Sequence, residues 1–341
     1  MARPKVTASQ TRRHLIMLTV LGTIAAPIVS CGSTHSDRGA SSTPSSKVAP
    51  STPASSQSRV SVTDNTWTDS VAPTAIPLGD GKLSTEPKAG YVDSCTSDFR
   101  LRGAQHAGPW INQSAGTWNE TRKLAVSGDR RWPAAAYHMS VHGTTRVITT
   151  NALPEALPTG NFPISPGDPA YQYDTNPNSI ANHETTYQLP AKPAAASRPS
   201  CTRLGPVGVT TVGVLLFNAL DAAGRDAGAH EMQDSCHGHP NGQDEYHYHS
   251  ISGCLRSSEP NTSQLVGYAL DGYGIYAEWN AHGSLPTNTD LDACHGRTST
   301  VMWDGEKVIM YHYDVTLEYP YTIGCYHGTP AHTGPNRPSG R

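Results

Sequence analysis

Apolar residues in this chain come in short runs cut off by Gly, Asp, Asn and Pro, the pattern of strands joined by turns. Residues 123–126, 136–141 and 145–150 read as strands, with Ser127-Gly128-Asp129 and His142-Gly143-Thr144 as the turns between them. Residues 208–216 are β-branched and apolar and read as one buried strand, followed at 217–221 by a turn or short helix. Residues 264–270 and 273–279 flank Asp271-Gly272, a hairpin signal, and 307–315 is a further strand. The stretch 152–199 is rich in Pro, Asn and Ser and reads as long loops. Helical periodicity is scarce, and 226–232 is the best short candidate. The pattern predicts a mainly β domain, a sandwich or partly closed barrel with long Pro/Gly-rich loops.

The N-terminal region has a different character. A basic stretch ending in Arg12-Arg13 precedes an apolar run over 15–29, which is too short to span a membrane and has the flanks of an export signal. The paired arginines leave two routes open, twin-arginine or general export. Ile28-Val29-Ser30-Cys31 resembles a bacterial lipobox, so residues 1–31 are expected to be a signal with lipid on Cys31. Residues 32–88 are dominated by Ser, Thr, Pro and Ala and read as a disordered tether, leaving 89–341 as the globular domain. The expected location is the outer face of the cell membrane, with the lipid as the membrane contact.

The net charge is only −3, from 25 Lys+Arg against 28 Asp+Glu, and no basic cluster marks the folded region. Nucleic acid is therefore excluded as an expected partner. Beyond Cys31 the chain holds Cys95, Cys201, Cys236, Cys254, Cys294 and Cys325, an even set that favours disulfides outside the cytoplasm. Six cysteines allow fifteen pairings, and the alternative of thiolate metal ligands stays open. A sequence repeat suggests Cys236–Cys254 and Cys294–Cys325, with Cys95–Cys201 as the remainder. Closing the first loop would stabilise by about 3 kcal/mol in the chain-entropy model.

That repeat carries the chemistry. Asp234-Ser235-Cys236-His237-Gly238, Tyr246-His247-Tyr248 and Gly253-Cys254 return in order as Asp292-Ala293-Cys294-His295-Gly296, Tyr311-His312-Tyr313 and Gly324-Cys325. On an extended strand His247 and His249 share one face, and His237 and His239 have the same spacing. Imidazoles so spaced suit zinc or copper(II). Asp234, Asp244, Glu245 and Asp271 supply nearby carboxylates, of which Glu245 and Asp271 are the candidate general bases. In the second copy His312 stands where His247 stands, but Asp314 replaces the partner of His249. The second copy is thus either a structural echo or the donor of one ligand, His312. Arg297 is either an anion contact or a solvated charge, and the tyrosines read as packing residues.

Gly238-His239, Tyr246-His247-Tyr248-His249, the 270–276 stretch Leu-Asp-Gly-Tyr-Gly-Ile-Tyr, the 291–297 stretch Leu-Asp-Ala-Cys-His-Gly-Arg and the 319–325 stretch Tyr-Pro-Tyr-Thr-Ile-Gly-Cys together resemble the YHYH protein family. The resemblance runs from about 124 to 330. It departs at His237, where the family often has glycine, and at Gly274, where it often has proline. That shifts weight from His237 to His239, His247 and His249. The resemblance implies an exported bacterial protein and little about chemistry.

Two functional classes follow. One is a lipid-tethered metal-binding domain, with metal-assisted hydrolysis of an ester or polysaccharide as its activity and Glu245 or Asp271 as base. The other is a non-enzymatic, disulfide-braced envelope module that binds glycan or protein. Copper handling by the His/Tyr cluster is a weaker third. A serine esterase has no Gly-x-Ser-x-Gly elbow to present its nucleophile.

Overall fold

The computed structural model describes residues 60–61, 65–99 and 103–331. The expected export signal, Cys31 and the expected tether up to residue 59 lie outside the described residues. Among the described residues no helix is long and apolar enough to cross a membrane.

The fold is mainly β. Eight strands form the body of the largest sheet: β1 (Pro206–Thr210), β2 (Leu215–Phe217), β3 (Gly238–Pro240), β4 (Tyr246–Tyr248), β5 (Thr262–Ala269), β6 (Gly274–Trp279), β7 (Gly296–Trp303) and β8 (Glu306–Asp314). Their spatial order is β3-β4-β2-β1-β5-β6-β8-β7, with the short strand Val60–Ser61 also paired to β5. The β2–β4 and β6–β8 pairs are parallel; the other pairs are antiparallel. That order is a palindrome: β1–β4 and β5–β8 are two copies of one four-strand unit, joined edge to edge through β1 and β5. The sequence repeat is therefore a structural repeat.

Local hydrogen bonds match between the copies. Asp234 Oδ1 accepts from the backbone N–H groups of Cys236 and Gly238, and Asp292 Oδ1 accepts from those of Cys294 and Gly296. The hydroxyls of Tyr246 and Tyr311 donate to the same two aspartates. His237 and His295 both adopt left-handed backbone, φ 63° and 75°. Gly238 must be glycine because a Cβ there would overlap the Tyr246 ring, and Gly296 meets Tyr311 likewise. Disulfides Cys236–Cys254 and Cys294–Cys325 close the equivalent loops, and Cys95–Cys201 ties the N-terminal segment to the chain just before β1.

A three-stranded sheet of Tyr137–His142, Thr145–Thr150 and Thr185–Pro190 forms a second layer. Arg146, fully buried, joins it to the main sheet: its guanidinium pairs with Asp304 at 2.8 Å and lies over Tyr268 and Trp303. Residues of both sheets, among them Ile148, Tyr187, Leu189, Val207 and Val209, belong to one hydrophobic core.

Several local expectations change. Residues 123–126 form no strand; only Val126 makes a bridge, to Asp234. The 208–216 run is a hairpin, broken at Gly213 with φ 85°, and of the two expectations for 217–221 the turn holds and the helix does not. The 152–199 stretch contains the Thr185–Pro190 strand and most of Ala195–Ser200, an edge pair of Tyr326–Gly328. The 226–232 helix is a single turn, Ala227–His230, capped by Asp226. Order also begins inside the expected tether. Trp67, Ile76 and Leu78 are buried, and Ile76–Pro77 pairs with Thr117–Trp118. Scattered anchors such as these have no period of their own and dock on a core built elsewhere.

Candidate metal centre

His239 on β3 faces His247 on β4 across the antiparallel ladder, and His249 follows two residues on, on the same side of the strand. One ligand atom from each of the three lies within 4.8 Å of the others. The turn after β2 brings the Asn218 carbonyl to this group. The one-turn helix Ala227–His230 delivers Glu231 at its C-terminal end. Glu231 Oε2 is 3.1 Å from His239 Nε2 and 3.2 Å from His249 Nε2.

The hydrogen bonds fix the tautomers. His247 Nδ1 donates to the Glu245 carbonyl at 3.1 Å, and His249 Nδ1 to the Asn218 carbonyl at 2.5 Å. A carbonyl only accepts, so both Nδ1 atoms carry hydrogen. In neutral rings both Nε2 atoms are then lone-pair acceptors, yet they face each other at 3.1 Å. Two lone pairs at that distance, with a carboxylate oxygen beside them, require a cation. Metal–nitrogen bonds of about 2.0–2.1 Å would span the gap at an N–metal–N angle of roughly 100°. The donated Nδ1 protons are the outer-shell arrangement that orients metal-binding imidazoles.

A proton is the competing cation. Burial drives His247 well below the usual histidine range, and the neighbouring His239 and His249 add to this. Burial also acts against charge on His239, but the Glu231 carboxylate outweighs it and the net shift is upward. Burial pushes Glu231 up, and pairing with His239 and His249 more than reverses that, holding it well below the usual carboxylate range. A proton on His239 thus answers Glu231 but leaves the His247–His249 pair unanswered. His239 Nδ1 has no hydrogen-bond partner, and the approaches of Glu231 Oε2 to His239 and His249 are ion-pair contacts without hydrogen-bond alignment. Side-chain exposure is 5% for His239, 4% for His249 and 11% for Glu231. The Phe217 ring stacks on His247 at 4.0 Å.

The remaining expected residues lie elsewhere. His237 turns away: its Nδ1 meets Ser250 Oγ at 3.1 Å, and it lines a cavity of ≈ 190 Å³ with Trp118, Lys123 and Ser250. The Glu245 carboxylate accepts from Asn241, so this residue serves the centre through its carbonyl. Asp271 sits in the second copy, accepting from the Tyr313 hydroxyl at 2.6 Å and the Gly328 N–H at 2.8 Å. Its oxygens brace that unit and do not reach the imidazoles as a base would. Asp234 is taken up by the turn and Tyr246, and Asp244 Oδ1 accepts from Ser179 N–H.

His312 lends nothing to the first group and forms its own with Glu278 and Asp314, all three fully buried. Its Nδ1 faces the Met310 carbonyl at 3.2 Å, as His247 faces that of Glu245. Its Nε2 is 3.3 Å from Glu278 Oε2 and 3.6 Å from Asp314 Oδ2. Arg297 also contacts the Glu278 carboxylate, and its Nε is 3.5 Å from Asp314 Oδ2. Burial opposes charge on Glu278, but His312 and Arg297 hold it at about 2; burial pushes Asp314 up to about 7. Glu231 and Glu278 escape a sequence reading because neither shares a motif with the histidines it meets.

Residues 186–287 match the family model described as YHYH protein, so this part of the chain is a YHYH domain. No curated protein and no solved structure gives a match.

Proposed function

We propose that this YHYH-domain chain is an exported, lipid-anchored envelope module that closes around one divalent transition metal, held by His239, His247, His249 and Glu231. The observation that carries the reading is the 3.1 Å Nε2–Nε2 approach of His247 and His249, with both Nδ1 atoms bound to carbonyls. Three nitrogen donors and one oxygen donor suit zinc best, with copper(II) next. Four protein donors, almost wholly buried, fit a bracing site better than hydrolysis, which needs an open coordination position. Three disulfides suit an oxidising compartment, in keeping with the export signal and lipobox of the sequence. A glycan or protein of the envelope is the natural partner class for such a module.

Elemental analysis of the purified chain tests the metal. One equivalent in the wild type and none in the His247→Ala/His249→Ala variant is the expected result. Wild-type protein that stays metal-free after incubation with Zn2+ and dialysis would refute the reading.

A further inference from the structure

The two copies differ at one ligand position in a way that is chemically specific. His239 follows the glycine of the first Asp-x-Cys-His-Gly turn and Arg297 follows the glycine of the second. Each faces the middle histidine of its own Tyr-His-Tyr strand: His239 is in register with His247, and Arg297 with His312. The backbones are equivalent, and an imidazole has been exchanged for a guanidinium. The carboxylate content changes with it. The first group has one carboxylate, Glu231; the second has two, Glu278 and Asp314, both 0% exposed. Two buried acids held together need a cation or a shared proton among them.

Arg297 supplies a fixed cation. Its Nη2 contacts Glu278 and also donates to Asn65 Oδ1 at 2.7 Å, its Nε faces Asp314, and the Trp67 ring lies 4.9 Å from the guanidinium. The segment preceding the expected domain boundary thus clamps the arginine in place. Asp314 Oδ1 and Glu278 Oε1 nonetheless have no hydrogen-bond partner, which leaves donor capacity in the group.

We infer that the second unit is a divalent-metal site whose ion has been replaced by the Arg297 guanidinium, so that the protein takes up one metal ion and an imidazole at position 297 opens a second site. The substituted ring would stand where His239 stands, and His239 reaches its own partner with ring centroids 4.5 Å apart. The new site would offer two imidazoles and two carboxylates, matching the charge of a divalent ion. Only the wild-type count rests on the function proposed above; the gain at position 297 does not.

The experiment is Zn2+ stoichiometry by native mass spectrometry and elemental analysis on the full exported chain. The expected counts are one ion for wild type, two for Arg297→His, and one for Arg297→His combined with His247→Ala/His249→Ala. A folded Arg297→His protein, shown by a cooperative melt and intact disulfides, that binds no more zinc than wild type overturns the inference. Should that variant not fold, His312→Ala in the wild-type background decides. An unchanged count supports the inference, and loss of one ion means that the second unit was metal-loaded all along. Zero ions in wild type with one in Arg297→His would sustain the gain at position 297 while refuting the metal reading of the first site.

Discussion

On the proposed function, removing the metal should soften the whole domain, and the size of the effect can be worked from the centre. Without a cation, the His247 and His249 Nε2 atoms face each other at 3.1 Å, and Glu231 Oε2 lies 3.1–3.2 Å from two ring nitrogens. An ion bound only by the folded form stabilises by RT ln(1 + [L]/Kd), about 2.7 kcal/mol at a free concentration 100-fold above Kd. A domain of 150–250 residues shifts roughly 2–4 °C per kcal/mol, so the melting temperature should fall by roughly 5–10 °C on chelation. The described region is somewhat larger, which favours the lower end. Calorimetry of the wild type with excess Zn2+ and with EDTA, disulfides intact, measures the difference. The His247→Ala/His249→Ala variant should melt at one temperature in both buffers. If wild-type protein proven metal-free after EDTA melts where the zinc-loaded protein does, the lone-pair argument is wrong and a proton occupies the gap.

Acid should destabilise the domain through His295, which burial drives from 6.5 to about 3. The unfolded chain then binds a proton that the native state refuses, so stability is full above about 6.5 and drains as pH falls towards 3. Between pH 7 and 4.5 the loss from this one group is up to about 3 kcal/mol; urea midpoints in EDTA should show a shallower fall for His295→Gln than for wild type. Gly238→Ala, whose Cβ would overlap the Tyr246 ring, should cost several kcal/mol and the metal as well, whereas Gly242→Ala, with open space around it, should be near neutral in thermal melts. Asp271→Ala leaves the Tyr313 hydroxyl and the Gly328 N–H without their acceptor and should cost about 2–4 kcal/mol while the zinc count stays at that of wild type. Loss of metal in that variant would show Asp271 to be part of the centre.

Strands with β-branched or aromatic runs between clear turns, such as Thr145–Thr150 and Gly274–Trp279, were legible because their pattern is local. The edge strands Thr185–Pro190 and Ala195–Ser200 were not, since Pro and polar residues are tolerated where one side has no partner. The 208–216 run hid a turn at Gly213 because apolar residues continue through it. In the centre, the i and i+2 spacing of His247 and His249 fixed their shared face, and the same spacing misled for His237. Its left-handed backbone turns it off the strand, and it bonds Ser250 instead.

Sequence alone thus determined the mainly β character, the duplicated unit and the sharing of one face by His247 and His249, all of which depend on neighbours a few residues apart. Tertiary structure decided that Glu231 joins three imidazoles, that Asp271 stands apart in the other unit, and that Arg297 lies between Glu278 and Asp314. Those meetings depend on strand order and on a one-turn helix docking against the sheet, long-range packing that no short stretch of residues encodes.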